Sequence, residues 1–233
     1  KQLTFLLSLT FLFLFSGSSV VVANDLQDGI DAYERKNYKE AFRLLLPLAE
    51  QGNAGAQKNL GLIYGNGQGV PQDYKEAVKW FRLSAEQGDS QAQVNLGVMY
   101  ANGRGVPQDY KEAVKLYRIA AEQGNANGHY HLGVMYDNGR GVPEDDKEAV
   151  KLYRIAAEQG DASAQLNLGY MYHKGLGVSQ DRVLGHMWWN ICGSNGHKSC
   201  VRNKKSTEKA MRIKPSEIEK AQEMARNWKP TKK

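Results

Sequence analysis

The chain has 233 residues, 41% hydrophobic and 24% charged, with a formal net charge of +6. This is globular composition with apolar material for a substantial core, and the 24 glycines recur at fixed intervals, which excludes a low-complexity chain. The charge is uneven: residues 197–233 hold twelve Lys or Arg against four Glu, the body is slightly acidic, and neither part has a nucleic-acid-binding pattern.

Residues 1–23 have the pattern of a signal peptide. Lys1 precedes an apolar run, Leu3 to Phe15, interrupted only by Thr4, Ser8 and Thr10. Ser16-Gly17-Ser18-Ser19 breaks the run, and Val21-Val22-Ala23 supplies a small-residue exit. Leu3 to Val22 is also long enough to span a bilayer as an uncleaved anchor. The breaking residues and the exit favour cleavage after Ala23, so the expected location is exported, either periplasmic or secreted.

Residues 24–52 read as an N-terminal partial repeat, a short helix pair without the glycine-rich insert found further on. Four full repeats follow at 53–88, 89–124, 125–160 and 161–196. Leu60-Gly61 recurs as Leu96-Gly97, Leu132-Gly133 and Leu168-Gly169, 36 residues apart each time. Tyr64, Tyr100, Tyr136 and Tyr172 keep the spacing, as do the turns Gly67-Gln68-Gly69, Gly103-Arg104-Gly105, Gly139-Arg140-Gly141 and Gly175-Leu176-Gly177.

Each repeat predicts two helices, A and B. In residues 89–124, helix A runs from about Ser90 to about Tyr100, capped by Asp89, with Asn53, Asn125 and Asp161 as the equivalent caps. Gly-x-Gly ends helix A, because glycine takes the left-handed conformation at little cost. Helix B starts after Asp109, and Asp109 with Glu112 forms a cap pair repeated as Asp73/Glu76 and Asp145/Glu148. One hairpin cannot bury its apolar face alone, so neighbours must stack. Residues 197–233 read as C-terminal capping helices and a basic tail, with Ser216/Glu219 as a capping box and Ile218, Ala221, Ala225 and Trp228 as one apolar stripe.

These motifs resemble the Sel-like repeat family, a relative of the tetratricopeptide repeats. The resemblance covers residues 53–196 through Ala-x-x-x-Leu-Gly-x-x-Tyr, Gly-x-Gly-Val-x-x-Asp, Lys/Glu-Ala and a closing Ala-Ala-x-x-Gly; Gly128 stands where the family has Ala, and the fourth repeat departs after Asp181. It implies an all-α fold, a right-handed α-solenoid of stacked helix–turn–helix repeats. It also implies an adaptor or scaffold that binds a protein or peptide partner, and not an enzyme, with no cofactor or metal.

Cys192 and Cys200 lie eight apart, with Gly193 to Gly196 breaking the helix between them so that the chain can fold back. On one continuous helix they would be about 12 Å apart, too far to bond. A secreted cysteine-rich branch of the family carries this spacing as a disulfide, and a Cys192–Cys200 bridge is expected here; two buried free thiols are the alternative. The same branch carries a hint of penicillin binding or weak β-lactam hydrolysis, for which Ser206-Thr207-Glu208-Lys209 is the one matching string. Neither Ser-Asp-Asn nor Lys-Thr-Gly accompanies it. The five histidines read as surface or groove residues, without metal-site spacing.

In tetratricopeptide-like stacks helix A lines the concave face. Leu60, Ile63 and Tyr64 predict its core stripe. A second stripe predicts the partner groove: Lys58 and Leu62; Val94 and Val98; Tyr130, Val134 and Asp137; Leu166, Tyr170 and His173. The alternative is that these side chains pack on the preceding helix B. Asn59, Asn95, His131 and Asn167 form a polar row beside them. The basic tail is a further candidate contact, with anionic membrane or an acidic partner.

Overall fold

The computed structural model describes residues 25–194, 196, 198, 200–202 and 214–231; the expected signal peptide, His197 and the Ser206 to Lys209 string lie outside them. All regular structure among the described residues is α-helical, as the repeat pattern predicts. The chain forms two compact units, divided between Gln108 and Asp109. The first holds α1 (25–34), α2 (Tyr38–Glu50), α3 (Ala54–Asn66), α4 (Tyr74–Glu86) and α5 (Ser90–Asn102). The second holds α6 (Tyr110–Glu122), α7 (Ala126–Asp137), α8 (Asp146–Glu158), α9 (Ala162–Lys174), α10 (Arg182–Ser194), a short α11 that includes 198 and 200–202, and α12 (Pro215–Asn227). Within each unit consecutive helices from α2 to α5 and from α6 to α10 pack against one another. Helices α3, α5, α7 and α9 are the A helices.

Short side chains start these helices by taking up orphan backbone donors. Asn53, Asp89, Asn125 and Asp161 accept from the N–H groups of Ala56, Ala92, Gly128 and Ala164 at 2.7–3.0 Å. On the B helices Asp73, Asp109 and Asp145 each accept from two N–H groups. The expected reciprocal bond from the N3 glutamate is replaced. The N–H groups of Asp73 and Asp145 donate instead to the carbonyls of Tyr64 and Tyr136 at 3.0 Å, which closes the A–B turn. Glu76, Glu112 and Glu148 are then left to pair with Lys79, Lys115 and Lys151.

The Gly-x-Gly turn does two jobs. Gly103 ends α5 with φ 64° and ψ 34°, a left-handed cap. Gly105, at φ 74°, lies so close to the Tyr74 carbonyl that a Cβ would overlap it. Gly141 and Gly177 meet the carbonyls of Tyr110 and Asp146 in the same way, so each loop seats on the start of the preceding B helix.

The core follows the first A-helix stripe. Leu60 and Ile63 are fully buried with Leu45 and Trp80 in the first unit, and Leu168 and Met171 with Tyr153 and Trp188 in the second. Buried glutamines join successive repeats: the amides of Gln57, Gln93 and Gln165 donate to the carbonyls of Ala49, Ala85 and Ala157, eight residues back. These carbonyls belong to the last turn of a B helix and also accept from the N–H groups of Gly52, Gly88 and Gly160 at 3.0 Å, so each glutamine amide fills a second lone pair.

Helix α12 packs on α10. Its Ala221 is fully buried, Met224, Ala225 and Trp228 pack beside it, and Trp228 meets Trp188 edge-on at 5.8 Å between ring centres. It covers Met187 and Ile191, at positions occupied in α8 by exposed Lys151 and by Ile155, which is 40% exposed. The cap lies two residues earlier than the expected Ser216/Glu219 box: Pro215 takes the first helical position, which suits its fixed φ, and the Glu217 carboxylate accepts from the Lys214 N–H at 2.9 Å. Cys192 and Cys200 form the expected disulfide, with Cα atoms 5.8 Å apart.

Candidate functional site

In the first unit, α3 and α5 flank an open cleft of about 150 Å3. Leu62 and Val98 line it, as the second stripe predicts, together with Asn95, Tyr74 and Arg104. Tyr74 opens α4, and the Arg104 guanidinium lies over its ring at 5.5 Å from the centre. Asn95 accepts from the Gln91 amide at 3.4 Å, while its own buried amide nitrogen has no partner among the described residues. An unpaired buried donor beside an apolar cleft offers a hydrogen bond to an incoming carbonyl.

Two other stripe members of this unit do not face the cleft. Lys58 is half-buried and reaches toward Asp89, the α5 cap, at 3.9 Å. Val94 is 2% exposed, which corrects the expectation that it lines a groove: it packs in the core of α5. Asn59, of the polar row, is also buried and bonds to the Gly55 carbonyl one turn back at 2.8 Å.

In the second unit the stripe is aromatic. Tyr130, Val134 and Leu166 are half-buried, and Tyr170 is 47% exposed with Lys174 over its ring. The Tyr130 ring lies 6.1 Å from that of Tyr153, and its hydroxyl faces Asp161 and Ser163 at the start of α9. Asp137, on the last turn of α7, accepts from the Tyr153 hydroxyl at 3.0 Å. Burial raises the Asp137 carboxyl above the usual range; the Tyr153 hydrogen bond opposes this and the Asp146 charge adds to it.

Histidines behave differently from the expectation of surface or groove positions. His173 is 3% exposed, so it cannot meet a partner; it packs against the Trp189 ring, and burial lowers its pKa, helped by Lys174 and Arg182. His186 is fully buried beside Asn190. His131 stacks on Tyr117 with ring centres 5.0 Å apart, and burial holds its pKa down at about 4. For His173 and His131 a B-helix ring, Trp189 or Tyr117, fills the space that a bare stripe pattern leaves open. Among the described residues no group of His, Cys, Asp or Glu could hold a metal ion, and no helix is long and apolar enough to cross a membrane.

Sequence reasoning missed Tyr74 and Arg104 as cleft residues. The available signal was the middle position of Gly-x-Gly, where Arg104 and Arg140 stand over Tyr74 and Tyr110, whereas the first and last copies have Gln68 and Leu176.

The chain is similar to known repeat proteins in sequence and fold. The family model described as Sel1 repeat matches residues 26–53, 54–89, 90–125, 126–161 and 162–197. A protective antigen present in uropathogenic Escherichia coli strains, which displays an SLR fold, is 34% identical with a TM-score of 0.75. The match covers 91% of this chain and 47% of the antigen, so the chain spans about half of that protein. A Sel1 repeat protein from Oxalobacter formigenes is 34% identical with a TM-score of 0.75, over 88% of this chain and 87% of that one. An immunity protein from Pseudomonas aeruginosa, 21% identical with a TM-score of 0.53 over 81% of this chain and 72% of its own, shares the fold alone. No curated protein matches.

Proposed function

This chain belongs to the Sel1 repeat family, and from that premise we propose that it is an exported, non-enzymatic adaptor that binds an extended peptide or protein segment along its A helices. One observation carries this reading. The cleft flanked by α3 and α5 offers two apolar walls, Leu62 and Val98, and one unpaired amide donor, Asn95. An extended peptide has the matching chemistry: alternate side chains for the walls and a backbone carbonyl for the donor. In the second unit the exposed Tyr170 and half-buried Tyr130 and Leu166 supply anchors of the kind that dominate interfaces. The Cys192–Cys200 bridge supports an oxidising compartment, periplasmic or extracellular.

Site-specific photo-crosslinking in the native envelope tests the reading. A benzoylphenylalanine at Val98 should yield defined crosslinked partners, and one at Leu83, 38% exposed on α4, should not. Crosslinks at Leu83 with none at Val98 would overturn it. The Tyr130→Ala/Tyr170→Ala double variant should lose partner capture while keeping its helical circular dichroism.

A further inference from the structure

Two polar groups at the first unit's cleft are donors that lack an acceptor. One is the Arg104 guanidinium, the single formal charge among the residues that line the cleft, none of which is Asp or Glu. Arg104 is exposed, and its side chain forms no hydrogen bond or ion pair with the described residues. Its contact is the face of Tyr74, with the ring centre 5.5 Å away. The arginines of the B helices differ: Arg82, Arg118 and Arg154 donate to the hydroxyls of Tyr100, Tyr136 and Tyr172. The second donor is the buried amide nitrogen of Asn95, on α5.

The loop holds the guanidinium in place. The Arg104 N–H donates to the Met99 carbonyl at 3.0 Å, directly after the left-handed cap at Gly103, and the next residue, Gly105, abuts the Tyr74 carbonyl. A guanidinium lying on an aromatic face keeps its N–H groups in its own plane, where an acceptor can reach them. Room for that acceptor comes from α3. Gly65 lines the cleft opposite Met99, at a position where the other repeats have Ala101, Asp137 and His173. The half-buried Leu62 and Val98 supply apolar walls for a short stem. A planar guanidinium is matched by a carboxylate, which accepts two parallel N–H bonds and cancels one charge.

We propose that the cleft flanked by α3 and α5 recognises an acidic side chain, aspartate or glutamate, of the bound segment, with Arg104 taking the carboxylate and Asn95 donating to a backbone carbonyl beside it. This deepens the peptide-binding reading and rests on it. It names the partner by chemistry, a segment with an acidic residue next to an apolar one that packs between Leu62 and Val98.

Blocked dipeptides separate charge from shape. Full-length 15N-labelled protein is titrated with acetyl-leucyl-glutamate amide, with its neutral isostere acetyl-leucyl-glutamine amide, and with acetyl-leucyl-glutamine bearing a free terminal carboxylate. The glutamate probe should give saturable shifts of the amides of Leu62, Val98 and Arg104, with binding about threefold or more tighter than the glutamine amide. Arg104→Gln should remove that preference. Arg140→Gln, which takes away the sibling guanidinium over Tyr110 in the second unit, should leave it unchanged. Equal binding of the two amides to the wild-type protein, or a preference that survives in Arg104→Gln, overturns the acid assignment while leaving an apolar cleft intact. A free-carboxylate probe that binds as tightly as the glutamate amide overturns it too, since the cleft would then read a chain end. Absence of shifts from all three probes also overturns it, and the crosslinking at Val98 decides the peptide-binding reading separately.

Discussion

Acid should destabilise the second unit through its buried histidines, and the share of His131 can be isolated. His131 occupies the polar row in which the other repeats have Asn59, Asn95 and Asn167, and it is half-buried with its ring stacked on Tyr117. Burial disfavours the charged ring and holds its pKa at about 4, against 6.5 for an ordinary histidine. Between those values the unfolded chain binds the proton and the folded chain does not. Stability is therefore undiminished above pH 6.5 and falls as the pH drops toward 4. A gap of roughly two and a half pH units, at about 1.4 kcal/mol each, amounts to ~3 kcal/mol. His131→Asn restores the residue of the sibling repeats and removes the titration. Urea unfolding followed by circular dichroism at steps from pH 7.5 to 4 should show the wild-type protein losing ~3 kcal/mol more than the variant. A difference between the two that stays constant across this range would refute the reasoning. So would an NMR titration in which the His131 ring protons move with a midpoint near 6.5.

Other outcomes follow from close packing and covalent closure. A methyl group at Gly169 would lie 2.5 Å from the Trp189 indole nitrogen, so Gly169→Ala should cost about 1–3 kcal/mol in urea unfolding through displacement of that ring. Alkylation without reductant should leave Cys192 and Cys200 unmodified by intact mass, and Cys192→Ser/Cys200→Ser should lose on the order of 2–3 kcal/mol. Trp228→Ala removes the ring that meets Trp188 and should release α12 from α10. Limited trypsin digestion should then cut at Lys220 and Arg226 faster than in the wild-type chain, while helix content elsewhere is kept.

Much of the architecture was legible because it is local. The 36-residue period, the caps at Asn53, Asp89, Asn125 and Asp161, and the left-handed glycines each depend on a few adjacent residues and the backbone donors they satisfy. A short side chain before a helix accepts from the same N–H groups whatever surrounds it. The Cys192–Cys200 bridge was legible for a similar reason, since a glycine-rich break allows eight residues to return on themselves.

Which face of helix A stays open was not legible. Lys58, Val94, Tyr130 and Leu166 share one register, yet Val94 is buried and the others are half-buried. Asp137 and His173 share another, and one keeps contact with water while the other lies under Trp189. Burial is set by what a neighbouring helix places opposite, and the side-chain period of a single helix holds no information about that. By itself, the sequence determined where the helices start and stop and that they must stack, because capping and turn chemistry act within a few residues. Only the tertiary structure decided which equivalent residues reach solvent, left Asn95 without a partner and put Asp137 beside two tyrosines, because those outcomes depend on how one helix packs against the next and not on the period of either alone.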